Sequence, residues 1–420
     1  MATSRATPSP LAPLPGVLAF AFLASLGTGA ITNGVYFLAE SALGYGAALN
    51  FCLAILFGAV YVGVASSSGR GIRRAAQRRS WITTRGALGA SAVLVAAACV
   101  MPSVGAWLSG QGATPAWTFW VLIVLFAIAS GVLWPVCEAY VSGGRHDRQL
   151  RSAMGRFNLA WSSATIVALW LMGPLVKEHA TLVLLGVGAS HVIGAGLLVW
   201  FPRDPAPREH HHSDLTPESR RRSVELLAWF RVLLPLSYLL KTALLPQLPA
   251  ALATLDTDPS WKPLIGSTYF VARFLGFGLF ERWHGWHGRR AMPILGAVLL
   301  ATGFIAGVLA PLAPSPDTGV TLLIVSLVVF GFGGATVYSG AIFYAMEAGD
   351  SDDVDSGGAH EAFIGLGYTL GPLCGLGAVA LASTGLIQYE TAMVALTLVV
   401  AILFGFSAPR LLRPRARGKL

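Results

Sequence analysis

Across 420 residues the chain is 55% hydrophobic and only 12% charged, with 29 Lys+Arg against 20 Asp+Glu and a formal charge of +9. A soluble chain of ordinary composition is about one quarter charged, so this deficit, with a mean hydropathy of +0.65, points to lipid as the solvent. The basic excess implies no nucleic-acid partner, because arginine and lysine gather in alternate connections between apolar stretches.

In chain order, apolar stretches fall at about 16–40, 47–67, 86–104, 116–141, 155–176, 181–201, 224–250, 262–281, 291–311, 319–346, 358–383 and 389–408. Each meets the roughly 20 residues that a helix needs to cross a bilayer. Backbone without water must satisfy its own hydrogen bonds, and no ten-residue alternation signals a barrel. The expected fold is an all-α polytopic membrane protein with twelve transmembrane helices in two six-helix halves. With the first connection outside, the basic residues lie in the two termini and the even-numbered loops. The odd-numbered ones hold only Lys177 and Lys262. That asymmetry makes the span count even and places both termini in the cytoplasm of a plasma or inner membrane.

The first stretch, Gly16 to Glu40, is too long for the apolar region of a signal peptide and reads as a retained helix. Within it Asn33, Tyr36 and Glu40 share a face, as do Asn158, Trp161, Ser162 and Thr165 in the fifth stretch. In the sixth, His191 sits mid-span and is the side chain there that titrates near neutral pH, a coupling candidate. Residues 202–223 form the longest polar interruption, with Pro202, Pro205, Pro207, Pro217, His210 to His212 and Arg220 to Arg222. This is the expected cytoplasmic linker between halves 1–201 and 224–420. No ligand cluster flanks the histidines, so neither a metal nor a cofactor site is expected. The four cysteines all fall within apolar stretches and suggest no disulfide framework.

Charges at membrane depth are functional candidates because they are costly there. Lys241 lies in the seventh stretch and Arg273 about midway along the eighth. The aspartates fall in loops, and Glu40, Glu138 and Glu361 sit at span edges, as coupling or gating candidates. Two buried cations without a mid-depth acid suit an anionic or zwitterionic solute, since guanidinium pairs bidentately with carboxylate or phosphate. The acidic stretch 347–355 either closes an inner gate against Arg145, Arg148 and Arg151 or is simply solvated.

After the second apolar stretch comes Gly63 to Ser68, then Gly69-Arg70-Gly71-Ile72-Arg73-Arg74. After the eighth comes Gly278-Leu279-Phe280-Glu281-Arg282, then Gly285 and Gly288-Arg289-Arg290. Both resemble the signature loops of the major facilitator superfamily, although the first copy has serine at the acidic position. The resemblance covers essentially the whole chain. It implies a secondary transporter working by alternating access on a small-molecule substrate within the lipid bilayer, with a coupling proton or ion. It further implies that spans one, four, seven and ten line the cavity, which adds Trp134, Tyr238, Ser339 and Phe343 to Asn33, Tyr36 and Lys241. A monomer is expected and no enzymatic activity. A non-transporting sensor or assembly partner that retains the fold is the alternative.

Overall fold

The structure, a computed structural model, describes residues 10–110, 114–145, 147–207, 216–348 and 353–411. Twelve helices are long and apolar enough to cross a membrane: α1 (Leu14–Asn33), α2 (Ala47–Arg78), α3 (Thr84–Ser109), α4 (Ala116–Ser142), α5 (Arg148–Leu175), α6 (Ala180–Trp200), α7 (Pro217–Thr254), α8 (Lys262–Arg282), α9 (Ala291–Leu312), α10 (Pro316–Ala345), α11 (His360–Ala382) and α12 (Tyr389–Ser407). An even count puts the helix α1 start and the α12 end on one side, called here the terminal face.

Two helices run well past the expected apolar stretches for local reasons. Helix α2 continues through the basic segment up to Arg78, where an amphipathic tail needs no lipid. Helix α7 starts inside the expected linker: the Thr216 hydroxyl accepts the Ser219 N–H at 3.2 Å and Pro217 occupies the first turn. This is the usual chemistry of a helix start, so Arg220 to Arg222 are helical. Helix α1 departs the other way. Its last turn, Thr28–Asn33, is a π-helix, after which a separate helical segment, Val35–Leu43, carries the chain to the far face.

Helices α2 and α11 pack closely, as do α5 and α8, joining the first six spans to the last six. At the first of these seams Gly58 lies so close to α11 that a Cβ would stand 2.5 Å from the Tyr368 carbonyl oxygen. Small residues permit such approach between membrane helices, where dispersion contacts do the work that water exclusion does elsewhere. On the terminal face, Arg145 donates to the Tyr140 and Val141 carbonyls at 2.9 Å and to that of Ala12 at 2.5 Å. It therefore caps the end of α4 and ties down the chain before α1. The side chains of 347–355 and the residues His210 to His212 lie outside the described residues.

Candidate functional site

Among the described residues, a small and a large cavity lie between the first six and last six spans. A central chamber of about 60 Å³ is lined by Thr28, Thr32 and Asn33 of α1, Tyr61 of α2, Trp134 and Glu138 of α4, Trp161 of α5, Tyr238 and Lys241 of α7, Arg273 of α8, Tyr338 of α10, and Glu361 and Tyr368 of α11. A larger cavity of about 690 Å³ lies toward the terminal face, lined among others by Arg148, Arg151, Asn158, Phe277, Glu281, His284, His287, Ser339 and Phe343. Its volume falls in the range of small-molecule sites, whereas the chamber holds only a water or two.

Arg273, 2% exposed, is held by aromatic faces. Its guanidinium carbon lies 4.7 Å from the ring centre of Tyr338, 4.9 Å from Trp161, 5.3 Å from Phe277 and 5.6 Å from Tyr238. One terminal nitrogen donates to the Tyr238 hydroxyl at 3.2 Å, while Nε is buried with no hydrogen-bond partner. Lys241, 3% exposed, sits 5.3 to 5.5 Å from the rings of Tyr238, Phe270 and Tyr368. A desolvated cation over a ring face gains about 2 kcal/mol. The rings thus offset part of the burial cost without neutralising either charge. Among the described residues, neither cation has a carboxylate at ion-pair distance.

Glu138 and Glu361 lie near the ends of their spans, as the sequence places them. Glu138 and Glu361 line the same chamber as the two cations, and Tyr61 donates its hydroxyl to Glu361 Oε2. They look like span-edge residues because the apolar stretch ends near them. Helical backbone runs on past both acids, to Ser142 in α4 and from Asp353 ahead of α11. Asn33 Nδ2 donates to the Thr28 carbonyl at 2.8 Å across the π-turn, leaving its buried Oδ1 without a partner. The chamber therefore presents two cations, two carboxylates, one orphaned donor and one orphaned acceptor.

The rings of Trp161, Phe277 and Tyr338 touch one another at centroid distances of 5.6 to 5.7 Å. They stand at the boundary between the two cavities and directly against Arg273. Below them Ser339 and Phe343 line the large cavity. Phe343 stacks on His287 at 4.1 Å. Burial, with His284 and Arg151 nearby, holds the His287 imidazole below its ordinary pKa range.

Three other sequence candidates, Tyr36, His191 and Glu40, line neither cavity. Tyr36 is buried at 4% exposure, and its carbonyl accepts from Asn50 at 3.3 Å. His191 is 2% exposed, with Nδ1 2.9 Å from the Val187 carbonyl and its ring against Gly27 of α1. That contact fills a helix–helix interface between α6 and α1. Glu40 instead forms an ion pair: Lys262 Nζ lies 2.8 Å from its Oε1 and 3.0 Å from its Oε2. Asn50 also donates to the Pro246 carbonyl at 3.3 Å, and Trp170 Nε1 to Ser267 at 2.9 Å. These contacts join the first and last six spans at the far face. Just beyond, Asp258 accepts from the hydroxyl and N–H of Ser260, which lowers its pKa.

Reversing Lys262 to glutamate should open that latch. Maleimide labelling of a buried Ser267→Cys reporter, in a Cys52→Ala background, is expected to speed up about fivefold in Lys262→Glu, the shift that about 1 kcal/mol produces. It should return toward the parent rate in Glu40→Lys/Lys262→Glu. An unchanged rate in the single variant would mean that the pair does not hold the far face shut.

No protein-family model matches the sequence, nor does any curated protein sequence. Solved structures do match. The nucleoside transporter NupG aligns at 14% identity over 96% of this chain and 99% of its own, with a TM-score of 0.60. The E. coli fucose:proton symporter FucP aligns at 14% identity over 94% and 98%, TM-score 0.56. The POT family transporter PepTSo aligns at 13% identity over 95% and 98%, TM-score 0.66. With the twelve apolar helices, this likeness gives the chain the major facilitator fold and makes it an integral membrane protein.

Proposed function

We propose that this major facilitator fold serves as a secondary transporter of a small zwitterionic or anionic solute, carried by alternating access. The observation that carries the reading is the composition of the central chamber. Arg273 and Lys241 can engage a carboxylate or phosphate, and Glu138 and Glu361 can engage an ammonium or hold a coupling proton. An aromatic cage leaves the guanidinium charged and Nε free to pair. An amino-acid-like solute answers both poles, and Asn33 Oδ1 is an acceptor for a further donor on it.

The geometry supports a terminal-facing, inwardly plugged state. The Glu40–Lys262 latch closes the far face, the large cavity reaches the terminal face, and the Trp161–Phe277–Tyr338 rings separate it from the chamber. On this reading the chamber widens when a solute displaces those rings. Two six-helix bundles rock about the α2–α11 and α5–α8 seams, with the terminal face cytoplasmic, as the basic loops favour.

A thermal-shift panel on the purified protein tests the solute class. A ligand that binds only the native state raises the melting temperature by mass action. Amino acids and small peptides, organic anions and sugar phosphates are compared with organic cations and neutral sugars. Stabilisation confined to zwitterions and anions is expected; stabilisation by cations alone would sink the assignment.

A further inference from the structure

The fold brings Glu138 of α4 against the adjacent pair His360-Glu361 at the start of α11, and the three belong to no recognised motif. A carboxylate oxygen of Glu138, a carboxylate oxygen of Glu361 and a ring nitrogen of His360 all lie within 4.8 Å of one another. Any three atoms so spaced have one point within about 2.8 Å of each, so small side-chain movements bring them to the 2.0–2.2 Å of a bound zinc-class ion. A second observation points the same way: Nε2 of His360 is buried and lacks a hydrogen-bond partner. A buried imidazole nitrogen left unpaired forgoes a contact that is costly to lose, and a metal ion satisfies it through the lone pair. Tyr61 meanwhile donates to Glu361 Oε2, the kind of outer contact that orients a ligating carboxylate.

We infer that Glu138, His360 and Glu361 form a binding site for a divalent transition-metal ion of the zinc class. Imidazole together with two carboxylates selects zinc, manganese or cobalt over magnesium or calcium, which prefer all-oxygen shells. Three protein ligands leave a coordination position open. The ion would take both carboxylates from the role of ammonium or proton acceptor, so the metal-loaded chamber would meet an anionic group through Arg273 and Lys241 and the metal-free chamber a zwitterion. The site stands on its own geometry and does not depend on the transport reading.

The test uses the full-length chain, purified in detergent without a polyhistidine tag and carrying His210→Ala, His211→Ala and His212→Ala to remove the loop's own affinity for metal. Isothermal titration with Zn²⁺ is expected to show one saturable site per chain. Affinity should fall at least tenfold in His360→Ala and in Glu138→Gln, and Mg²⁺ should not compete. Co²⁺ provides a readout that needs no variant: intense visible d–d absorption reports a low-coordinate nitrogen and oxygen site. No saturable Zn²⁺ binding, equal binding in both variants, or the weak spectrum of hydrated Co²⁺ would overturn the proposal. Zn²⁺ binding without any stabilising solute would count against the transport reading alone, and the converse against the metal site alone.

Discussion

Arg273→Leu is expected to abolish the stabilisation that a zwitterionic or anionic solute gives the parent protein, and Arg273→Lys is expected not to restore it. The guanidinium is 2% exposed, packed among four rings, with Nε unpaired. Truncating one partner of a buried, hydrogen-bonded charge pair costs about 2 kcal/mol or more, so binding should weaken at least about 30-fold. Leucine keeps much of the bulk among the rings and removes the charge that had to be buried. The variant should therefore fold as well as the parent, and its own melting temperature separates lost binding from lost structure. Lysine offers a point charge with no planar fork, and it cannot stack on Trp161 and Tyr338 as guanidinium does. Equal solute shifts in all three proteins would return Arg273 to a purely structural part.

The second large effect concerns the packing of α11 on α7. A Cβ at Gly371 would stand 2.2 Å from the Leu239 carbonyl oxygen, 2.4 Å from Thr242 Oγ1 and 2.7 Å from the Ala243 nitrogen. Two of these three are backbone atoms and cannot swing aside. The third belongs to a side chain that bridges the helices, since Thr242 Oγ1 donates to the Gly367 carbonyl at 2.8 Å. Overpacking typically costs 1–3 kcal/mol, and a valine here also displaces that bridge. Gly371→Val should therefore cost about 3 kcal/mol or more, seen as a collapse in monodisperse yield and melting temperature. Gly405→Ala, where a Cβ meets nothing within 4 Å, serves as the neutral control. A Gly371→Val protein of parental stability would show that α11 is free to draw back from α7.

The spans were legible because a bilayer imposes a length and leaves a charge asymmetry, both of which survive in sequence. Helix ends were less so: Thr216 and Pro217 announce the start of α7, yet the arginines that follow read as loop until the cap is weighed. At the site, Lys241 and Arg273 stood out because an ionised group in an apolar run has few innocent explanations. Glu138 and Glu361 stood out only as span-edge coupling or gating candidates, since hydropathy marks where lipid ends and says nothing of where an internal chamber lies. The rings around Arg273 were also hidden. A tryptophan facing lipid and one facing a cavity look alike in sequence, and Trp161 could be placed only on its helix face. His360 was missed outright, because its partners arrive from helices more than two hundred positions away or from its immediate neighbour.

The π-turn at Thr28–Asn33 gives the first span a phase. Each residue advances an α-helix by about 100°, so the single extra residue that a π-turn accommodates sets the face of Val35–Leu43 against that of Leu14–Gly27 by about that angle. The same chain can then aim Asn33 into the chamber and Glu40 at Lys262. Loss of one residue there would leave a regular rod whose two ends no longer keep time. In the proposed transport cycle that joint lets the far-face latch travel with α8 while Leu14–Gly27 stays seated on α5 and α6. A defect in hydrogen-bond register thus becomes a bearing between the part of the span that holds and the part that moves.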